Sequence, residues 1–286
     1  MTVSGGEIIG QGNPLDYDAN GNGTTTVGAA LAVSQHTTNK DIDVNISGGT
    51  FTGYYALFEK DMQDDDSDNI KMSVTGGEFN GKIYSENCKD FITGGTFSDP
   101  TALHYLGEGA NVSIKLQQDY SGETGNLNKK AFKIGSNRTV AMDLGGHTFS
   151  MTEVGNTSAG NISIANGTLD LQKDLSLTGG TLDMVSGSTL TIENNSSLVI
   201  NGGTFVADAG LLVTANGDSI YQANTNKGIS DTSIVGTDGN LNLRWFDGDY
   251  TADEYASVKR ALMDSVGENA TLNFLNATLK LDEGQD

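Results

Sequence analysis

A six-residue pattern recurs along the chain: an apolar residue, a polar residue, two glycines, a polar residue and an apolar residue. Each half alternates apolar and polar side chains, as expected of a β-strand with one buried face. The glycine pair predicts a bend where a side chain would clash or where φ is positive. Clear copies begin at Ile46, Val74, Ile92 and Ile200, and looser copies begin at Val3, Leu144, Ile164 and Leu177.

The spacing of these copies predicts a ribbon of strands that coils back on itself. The first glycines of three copies, Gly48, Gly76 and Gly94, are 28 and 18 residues apart, which suits one coil of a parallel β-helix. The step from Asn166 to Gly179 is only 13 residues, which is too short for a coil. We therefore expect this step to join two faces of the same coil.

Stacked coils would place equivalent apolar residues in columns. Successive coils would lie about 4.8 Å apart, the ordinary strand spacing, and burying one phenylalanine contributes about 2–3 kcal/mol. No single coil can bury its own apolar face, so the stack is cooperative and its ends need covers. The predicted columns are Ile46, Val74 and Ile92 in one, and Phe51, Phe79 and Phe97 in the next.

The chain divides into three predicted sections. Residues 1–107 form a β-helix section with Gly-Gly-Thr-Phe coils, and residues 108–250 form a second section that could be continuous with the first. Asp99 and Pro100 are typical of a helix N-terminus and predict one helical turn over Thr101–Leu106, closed by Gly107. Residues 251–286 hold a capping helix, predicted over 252–266 from a capping box, and terminal strands.

Charge and cysteine content exclude several classes of partner and site. Lys and Arg number 16 against 37 Asp and Glu, giving a net charge of −21, which disfavours nucleic acid and anionic membranes as partners. Cys88 is the single cysteine, so the chain has no internal disulfide, and we expect a buried, inert thiol. No run is long and apolar enough to predict a membrane span, and no stretch of this sequence has the pattern of a signal peptide, which says nothing about localisation. Because the chain opens inside a repeat, we expect it to be part of a longer protein.

Two acidic stretches are candidate calcium sites. Asp16, Asp18 and Asn20 surround a glycine turn as in a calcium loop, but Val27 stands where the bidentate glutamate belongs, so a polar turn is the alternative. The segment 61–70 predicts a solvated, self-repelling loop or a tip that binds a cation or a partner. Its carboxylates are Asp61, Asp64, Asp65, Asp66 and Asp68. We expect no other cofactor.

Two further groups are candidate catalytic or ligand-binding residues. Asp170 and Asp183 occur in matching Thr-Leu-Asp phrases and Asp143 precedes another copy, and paired carboxylates can serve glycoside hydrolysis. Outward polar residues are obligatory on every strand, so coincidence is the alternative. Trp245 and Tyr250 belong to the densest aromatic group, which could stack on a sugar if exposed or close the core if buried.

Two phrases resemble large repetitive surface proteins of gut bacteria. One is Gly-Gly-Thr-Phe-Ser-Asp-Pro from Gly94, followed by Tyr-Leu-Gly-Glu-Gly from Tyr105, and the other is Val-Ala-Met-Asp-Leu-Gly-Gly-His-Thr-Phe from Val140. Gly145 departs from the asparagine usual in that coil. The resemblance covers most of residues 40–206 and implies an all-β, right-handed parallel β-helix of the pectate-lyase-like kind. That fold hosts lyases, hydrolases, tailspikes and adhesins, so it does not fix the function.

These observations support two main functional hypotheses. The first is a non-catalytic extracellular surface or adhesion module whose flank binds a glycan or a host or bacterial surface protein. The second is a carbohydrate-active enzyme, either a glycoside hydrolase or a lyase, or a phage tailspike-like polysaccharide-binding domain. Lyase activity is disfavoured because the Arg-x-Pro-x-x-Arg phrase of pectate lyases is absent. A third option is a self-assembling stalk, and the oligomeric state stays open.

Overall fold

The structure is a computed structural model. It describes residues 1–13, 27–35, 40–61, 69–121, 134–152, 155–156, 160–185, 187–193, 196, 198–200, 203–207, 212–215, 220–224, 234–236 and 246–247. These residues form strands and one short 3₁₀-helix, so the prediction of an all-β fold is confirmed. The predicted capping helix over 252–266 lies outside the described residues.

The chain divides into two compact units. Unit 1 comprises Met1–Gln117 and Asn137–Ala141. Its strands pair in parallel and are β1 (Thr2–Ile9), β2 (Ala29–Gln35), β3 (Ile42–Asp61), β4 (Ile70–Val74), β5 (Glu78–Ser85), β6 (Ile92–Phe97) and β7 (Leu106–Lys115). The predicted section boundary between residues 107 and 108 falls within β7 and stays a prediction.

Four strands of unit 1, β3, β4, β5 and β6, pair with one another in a closed ring. Residues 42–46 of this 20-residue strand pair with β4, residues 50–59 pair with β5, and β6 pairs with both β4 and β5. β1 and β2 pair with β3 as well. Because these pairings close a ring, the finer prediction of a β-helix solenoid is not established by the strand order of this unit.

The predicted phenylalanine column is confirmed. Phe51 lies opposite Phe79 in register, and Phe79 lies opposite Phe97. The ring centroids of both pairs are 4.9 Å apart, with interplanar angles of 5° and 10°. All three rings are buried. Face-to-face contact at the strand spacing follows from identical register positions on neighbouring parallel strands.

The predicted aliphatic column is confirmed as well. Ile46 lies opposite Val74, and Val74 lies opposite Ile92. Val3 and Leu106 extend this column at its two ends. All five side chains are buried, so the six-residue pattern places one aliphatic column and one aromatic column side by side in the core.

In the three copies that begin at Ile46, Val74 and Ile92, the two glycines have different structural roles. A Cβ added to the first, Gly94, would lie 2.4 Å from the backbone oxygen of Thr75 on the neighbouring strand, a distance that side-chain carbons do not reach. The second, Gly95, has a φ of +122°, which L residues with a side chain rarely adopt. Asn166 replaces a glycine at φ +56°, in the left-handed region that asparagine tolerates. Both predicted reasons for the glycine pair are therefore confirmed.

A 3₁₀-helix, Pro100–Tyr105, follows β6 and confirms the predicted helical turn. Asp99 is its N-cap, and an oxygen of the Asp99 carboxylate accepts a hydrogen bond from the Thr101 amide at 2.9 Å. The Thr101 hydroxyl in turn accepts a hydrogen bond from the Ile83 amide at 2.9 Å. The helix is thereby fixed to β5.

Unit 2 comprises Gln118–Ser136 and Met142–Asp286. Residues 139–141 of β9 (Thr139–Asp143) belong to unit 1 and residues 142–143 to unit 2. The other strands of unit 2 are β8 (Tyr120–Ser121), β10 (Thr148–Met151), β11 (Gly155–Asn156), β12 (Asn161–Ala165), β13 (Thr168–Leu171), β14 (Leu175–Leu177), β15 (Thr181–Met184), β16 (Thr189–Ile192), β17 (Leu198–Ile200), β18 (Thr204–Ala207), β19 (Leu212–Ala215), β20 (Ile220–Asn224), β21 (Ile234–Gly236) and β22 (Phe246–Asp247).

The strands of unit 2 alternate among three groups of parallel strands. One group has the order β12-β15-β18-β21, the second β19-β16-β13-β10-β8, and the third β11-β14-β17-β20-β22. The chain visits the three groups in rotation, as in β12, β13, β14 and then β15. Asn166 lies between β12 and β13 and Gly179 between β14 and β15, so the short 13-residue step passes through two of the three groups of strands; that these are two faces of one coil stays a prediction.

Candidate functional site

The candidate site is a set of aromatic side chains on β3 and β5, which we call the aromatic face: Tyr54, Tyr55, Phe58 and Tyr84. Phe58 and Tyr84 lie directly opposite each other in register. Their chain neighbours Leu57 and Ile83 are fully buried, so alternation along the strands directs Phe58 and Tyr84 to the outward side.

The rings of the aromatic face form one continuous cluster. Phe58 stacks on Tyr84 with centroids 5.0 Å apart, and Tyr55 lies 5.1 Å from Phe58 and 6.2 Å from Tyr84. Tyr54 meets Tyr55 edge to face at 5.0 Å. Phe58 is only 7% exposed while Tyr54 is 41% exposed. Phe58 therefore forms the buried base of the cluster, and the tyrosine side chains are the part that is accessible to a ligand.

Charged and hydrogen-bonding groups border the aromatic face. The Lys82 ammonium lies 4.7 Å from the centroid of the Tyr54 ring and donates a hydrogen bond to the Tyr54 hydroxyl at 3.1 Å. Lys60 forms an ion pair with Glu86 at 3.4 Å. Ring faces beside a few polar groups are typical of surfaces that bind small amphipathic ligands.

The hydroxyls of Tyr55 and Tyr84 resist ionisation. Burial, assisted by the charge of Glu86, raises the pKa of Tyr84 to about 12. Burial, assisted by the neighbouring Tyr54, also raises the pKa of Tyr55. Both hydroxyls therefore stay protonated, and able to donate hydrogen bonds, well above neutral pH.

A buried polar network supports the end of β5 beneath this face. The Glu59 carboxylate is completely buried and accepts hydrogen bonds from the Ser85 hydroxyl at 2.6 Å and the Asn87 amide at 3.0 Å. The Tyr105 hydroxyl accepts a hydrogen bond from the Ser85 amide at 2.9 Å. Because Ser85 follows Tyr84 directly, these bonds fix the position from which the Tyr84 ring projects.

The prediction that the Cys88 thiol is buried is confirmed. Cys88 is a free, buried thiol in the turn after β5. Its sulfur lies 3.2 Å from the backbone oxygen of Ile70, to which the thiol can donate a hydrogen bond.

The structure separates the two carboxylates of the Thr-Leu-Asp phrases. Asp170 lies in β13, with Ser150 and Thr191 at the register positions on each side. Asp183 lies in β15, which belongs to another group of strands. Asp143 lies at the end of β9.

Two of these carboxylates make local structural bonds. Asp170 is 9% exposed, and one of its oxygens accepts hydrogen bonds from the Ser150 hydroxyl and the Gln172 amide, both at 2.9 Å. Its other oxygen is buried and has no hydrogen-bond partner among the described residues. The Asp143 carboxylate accepts hydrogen bonds from the Gly145 amide at 3.0 Å and the Asn166 side chain at 3.1 Å. Asp143 thereby fixes the turn between β9 and β10.

Several predicted site residues lie outside the described residues, so their roles stay predictions. They are the calcium-loop candidates Asp16, Asp18 and Asn20, the acidic-segment residues Asp64, Asp65, Asp66 and Asp68, and the aromatic residues Trp245 and Tyr250. Among the residues that the structure describes, no group of three or more His, Cys, Asp or Glu side chains could hold a metal ion.

The sequence analysis missed the aromatic face, although a signal for it exists. Gly53 and Gly81 each follow the phenylalanine of a repeat copy by two residues, and Tyr54, Tyr55 and Tyr84 come shortly after. Comparing the residues after successive copies, and not only within them, would have placed these tyrosines on neighbouring strands.

Comparisons with known proteins find no matching family model, no matching curated protein and no matching solved structure. The resemblance to surface proteins of gut bacteria therefore stays a prediction. Within the described part of the chain, no helix has the length and apolar character needed to cross a membrane.

Proposed function

We propose that this chain is a non-catalytic surface module that binds a glycan through the aromatic face. The observation that supports the proposal is the cluster of Tyr54, Tyr55 and Tyr84 over Phe58 on the outward side of two paired strands. A sugar ring has an apolar C–H face and a hydroxyl edge. Tyrosine rings can cover the first, while their hydroxyls and the Lys82 ammonium can hydrogen-bond the second.

We propose further that the scaffold is a right-handed parallel β-helix. Parallel pairing in both units, the rotation of unit 2 strands among three groups and the stacked phenylalanine column support this architecture. On such a scaffold the aromatic face lies on a flank, where the rigid strands hold the rings at fixed spacing. Preorganised rings lose little conformational freedom on binding, which favours affinity.

The carboxylates beside the aromatic face favour binding over hydrolysis. Glycoside hydrolysis needs two carboxyl groups placed on opposite sides of one glycosidic bond. Glu86 is paired with Lys60, and Glu59 is completely buried within its own hydrogen-bond network. A carbohydrate-active enzyme is the alternative that the experiment below distinguishes.

The proposed setting is the extracellular surface of a cell. The net charge of −21 disfavours a polyanionic partner such as nucleic acid. Calcium is the proposed ligand of the acidic stretches, if either of them binds a cation.

The test is a glycan array run in parallel with a reducing-sugar release assay on the same polysaccharides. The proteins compared are the wild type, the Tyr55→Ala/Tyr84→Ala double variant and a Tyr120→Ala control. Tyr120 is a partly exposed tyrosine of unit 2 that stacks on Phe149, so its removal also deletes a ring contact.

We expect the wild type and the Tyr120→Ala control to bind the same glycans without releasing sugar. The double variant should lose about tenfold in affinity or more, equivalent to about 1.4 kcal/mol. Release of sugar by the wild type would favour the enzyme alternative. Equal binding by the double variant would show that the aromatic face is not the site.

A further inference from the structure

One end of the aromatic face carries a lysine whose charge no described carboxylate neutralises. Lys82 lies opposite Tyr55 in register and beside the exposed ring of Tyr54. Among the described residues, no carboxylate lies within ion-pair distance of Lys82. The other end of the face holds Lys60 and Glu86, whose opposite charges form an ion pair at 3.4 Å. The Lys82 ammonium is therefore the charge at this face that a ligand can still neutralise.

The Lys82 ammonium is held beside the tyrosine rings. It lies 4.7 Å from the centroid of the Tyr54 ring and donates a hydrogen bond to the Tyr54 hydroxyl at 3.1 Å. This bond uses one of the three N–H donors of an ammonium group and leaves the others for a ligand. The side chain is also half-buried, so it loses less conformational freedom on binding than a fully exposed lysine would.

The two ends of the aromatic face differ in the sign of the nearby charge. Burial raises the pKa of Tyr55, and the positive charge of Lys82 opposes that rise. At the other end, burial raises the pKa of Tyr84, and the negative charges of Glu86 and Glu59 add to that rise. The Tyr55 hydroxyl is thus influenced by a cation and the Tyr84 hydroxyl by two carboxylates. A ligand with an anionic group is favoured at the Tyr55 end.

The charge of the whole chain limits how many anionic groups that ligand can carry. A net charge of −21 repels a polyanion. At physiological ionic strength this repulsion is screened beyond about 8 Å, whereas direct contact with an ammonium group is screened much less. A single carboxylate among neutral sugars gains the contact and meets little of the repulsion. A polymer with an acid on every sugar would also face the carboxylates at the Tyr84 end.

We infer that the aromatic face selects glycans with an isolated carboxylate, such as a uronic or sialic acid provides, and that this carboxylate binds Lys82 while neutral sugars stack on the tyrosines. The inference rests on the proposed glycan-binding function and adds the class of glycan and its orientation. The Lys82 ammonium donates a charge-assisted hydrogen bond to the carboxylate, which is stronger than a bond to a neutral hydroxyl. Lys82 thereby determines specificity, and Tyr54 positions it.

The experiment uses the full chain and a glycan array printed twice, once untreated and once after its carboxylates have been converted to methyl esters. Esterification removes the charge of acidic glycans and leaves neutral glycans unchanged, so the neutral spots are an internal standard. Polygalacturonate, which bears an acid on every sugar, is the polyanion for comparison. Apparent affinities are taken from a protein concentration series on each spot.

Three variants accompany the wild type. Lys82→Met removes the charge and keeps an unbranched side chain, whereas Lys82→Arg retains the charge. Lys71→Met is the matched control, because it removes an exposed lysine of unit 1 that lies opposite Asp43 on β3. Circular dichroism establishes that each variant is folded.

We expect the wild type to bind glycans with one carboxylate about tenfold more tightly, or better, before esterification than after it. Lys71→Met should show the same ratio, and Lys82→Arg should keep most of it. For Lys82→Met the ratio should fall to near unity. Polygalacturonate should bind the wild type more weakly than the singly charged glycans do.

A ratio near unity in the wild type, or an undiminished ratio in Lys82→Met, would overturn the inference while leaving the proposed function intact. A preference for polygalacturonate over singly charged glycans would overturn it as well. The Tyr55→Ala/Tyr84→Ala double variant on the same arrays separates the two proposals. If it binds every glycan as the wild type does, or if the wild type binds no glycan, the proposed function fails and this inference fails with it.

Discussion

Phe79 stacks on Phe97 with ring centroids 4.9 Å apart and planes within 10° of parallel. Phe79 has the same relationship with Phe51 on its other side, so it is the shared ring of the column. Neighbouring strands therefore stabilise each other through one side chain, and the loss of that side chain should be felt on both.

Replacing Phe79 by alanine should destabilise the protein by about 3–5 kcal/mol, because it removes buried area and leaves a cavity between two rings. Phe79→Leu should cost clearly less, since leucine fills most of the space. Urea unfolding followed by circular dichroism measures both. A cost below about 1 kcal/mol for Phe79→Ala would contradict the stacked column.

Replacing Gly94 by alanine should also destabilise the protein. The new Cβ would lie 2.4 Å from the backbone oxygen of Thr75, and backbone cannot move aside as a flexible side chain can. Overpacking of this kind typically costs about 1–3 kcal/mol. Gly5→Ala is the matched control, because its Cβ meets nothing within 4 Å. Equal stability of the two variants in thermal unfolding would argue against close strand packing at this corner.

The phenylalanine column could be predicted from the sequence because each copy of the six-residue pattern places its phenylalanine at the same distance from its glycine pair. The spacing from Ile46 to Phe51 is repeated in successive copies, and any parallel register that aligns the glycines aligns the rings too. The sequence also indicated that each glycine pair is a bend. It did not separate the steric role of the first glycine from the positive φ of the second, since that distinction depends on the neighbouring strand.

The aromatic face could not be predicted in the same way. Between Thr52 and Leu57 the pairing of β3 with β5 shifts register, so a constant offset from the phenylalanine does not align the tyrosines. The contact of Phe58 with Tyr84 depends on that irregularity. Likewise, the Thr-Leu-Asp phrases suggested that Asp170 and Asp183 are equivalent, but the rotation of the chain among three groups of strands places them in different groups.

Replacing Glu59 by glutamine should destabilise the protein by about 1–3 kcal/mol. The carboxylate is completely buried and accepts hydrogen bonds from Ser85 and Asn87, and an amide turns one acceptor oxygen into a donor. Glu86→Gln is the control, since Glu86 is partly exposed and its ion pair with Lys60 should contribute about 1 kcal/mol or less. Chemical denaturation of both variants gives the comparison, and equal effects would contradict the role assigned to Glu59.

The raised pKa of Tyr84 predicts a loss of stability at alkaline pH. The unfolded chain ionises this tyrosine near pH 10, whereas the folded protein holds the pKa at about 12. Because the folded state favours the protonated form, its contribution to stability is complete below pH 10 and is lost as the pH rises through 12. Tyr84→Phe has no proton to lose, so its unfolding free energy should fall less steeply over this range. Identical pH profiles for wild type and variant would contradict the shift.

The most direct test of the central claim, that the aromatic face binds a glycan, is isothermal titration of an oligosaccharide identified on the array. The account predicts that Tyr84→Ala weakens binding by about tenfold, that Tyr84→Phe retains most of the affinity because the ring remains, and that Tyr120→Ala binds like the wild type. Undiminished binding by Tyr84→Ala, or equal losses in Tyr84→Ala and Tyr120→Ala, would contradict it.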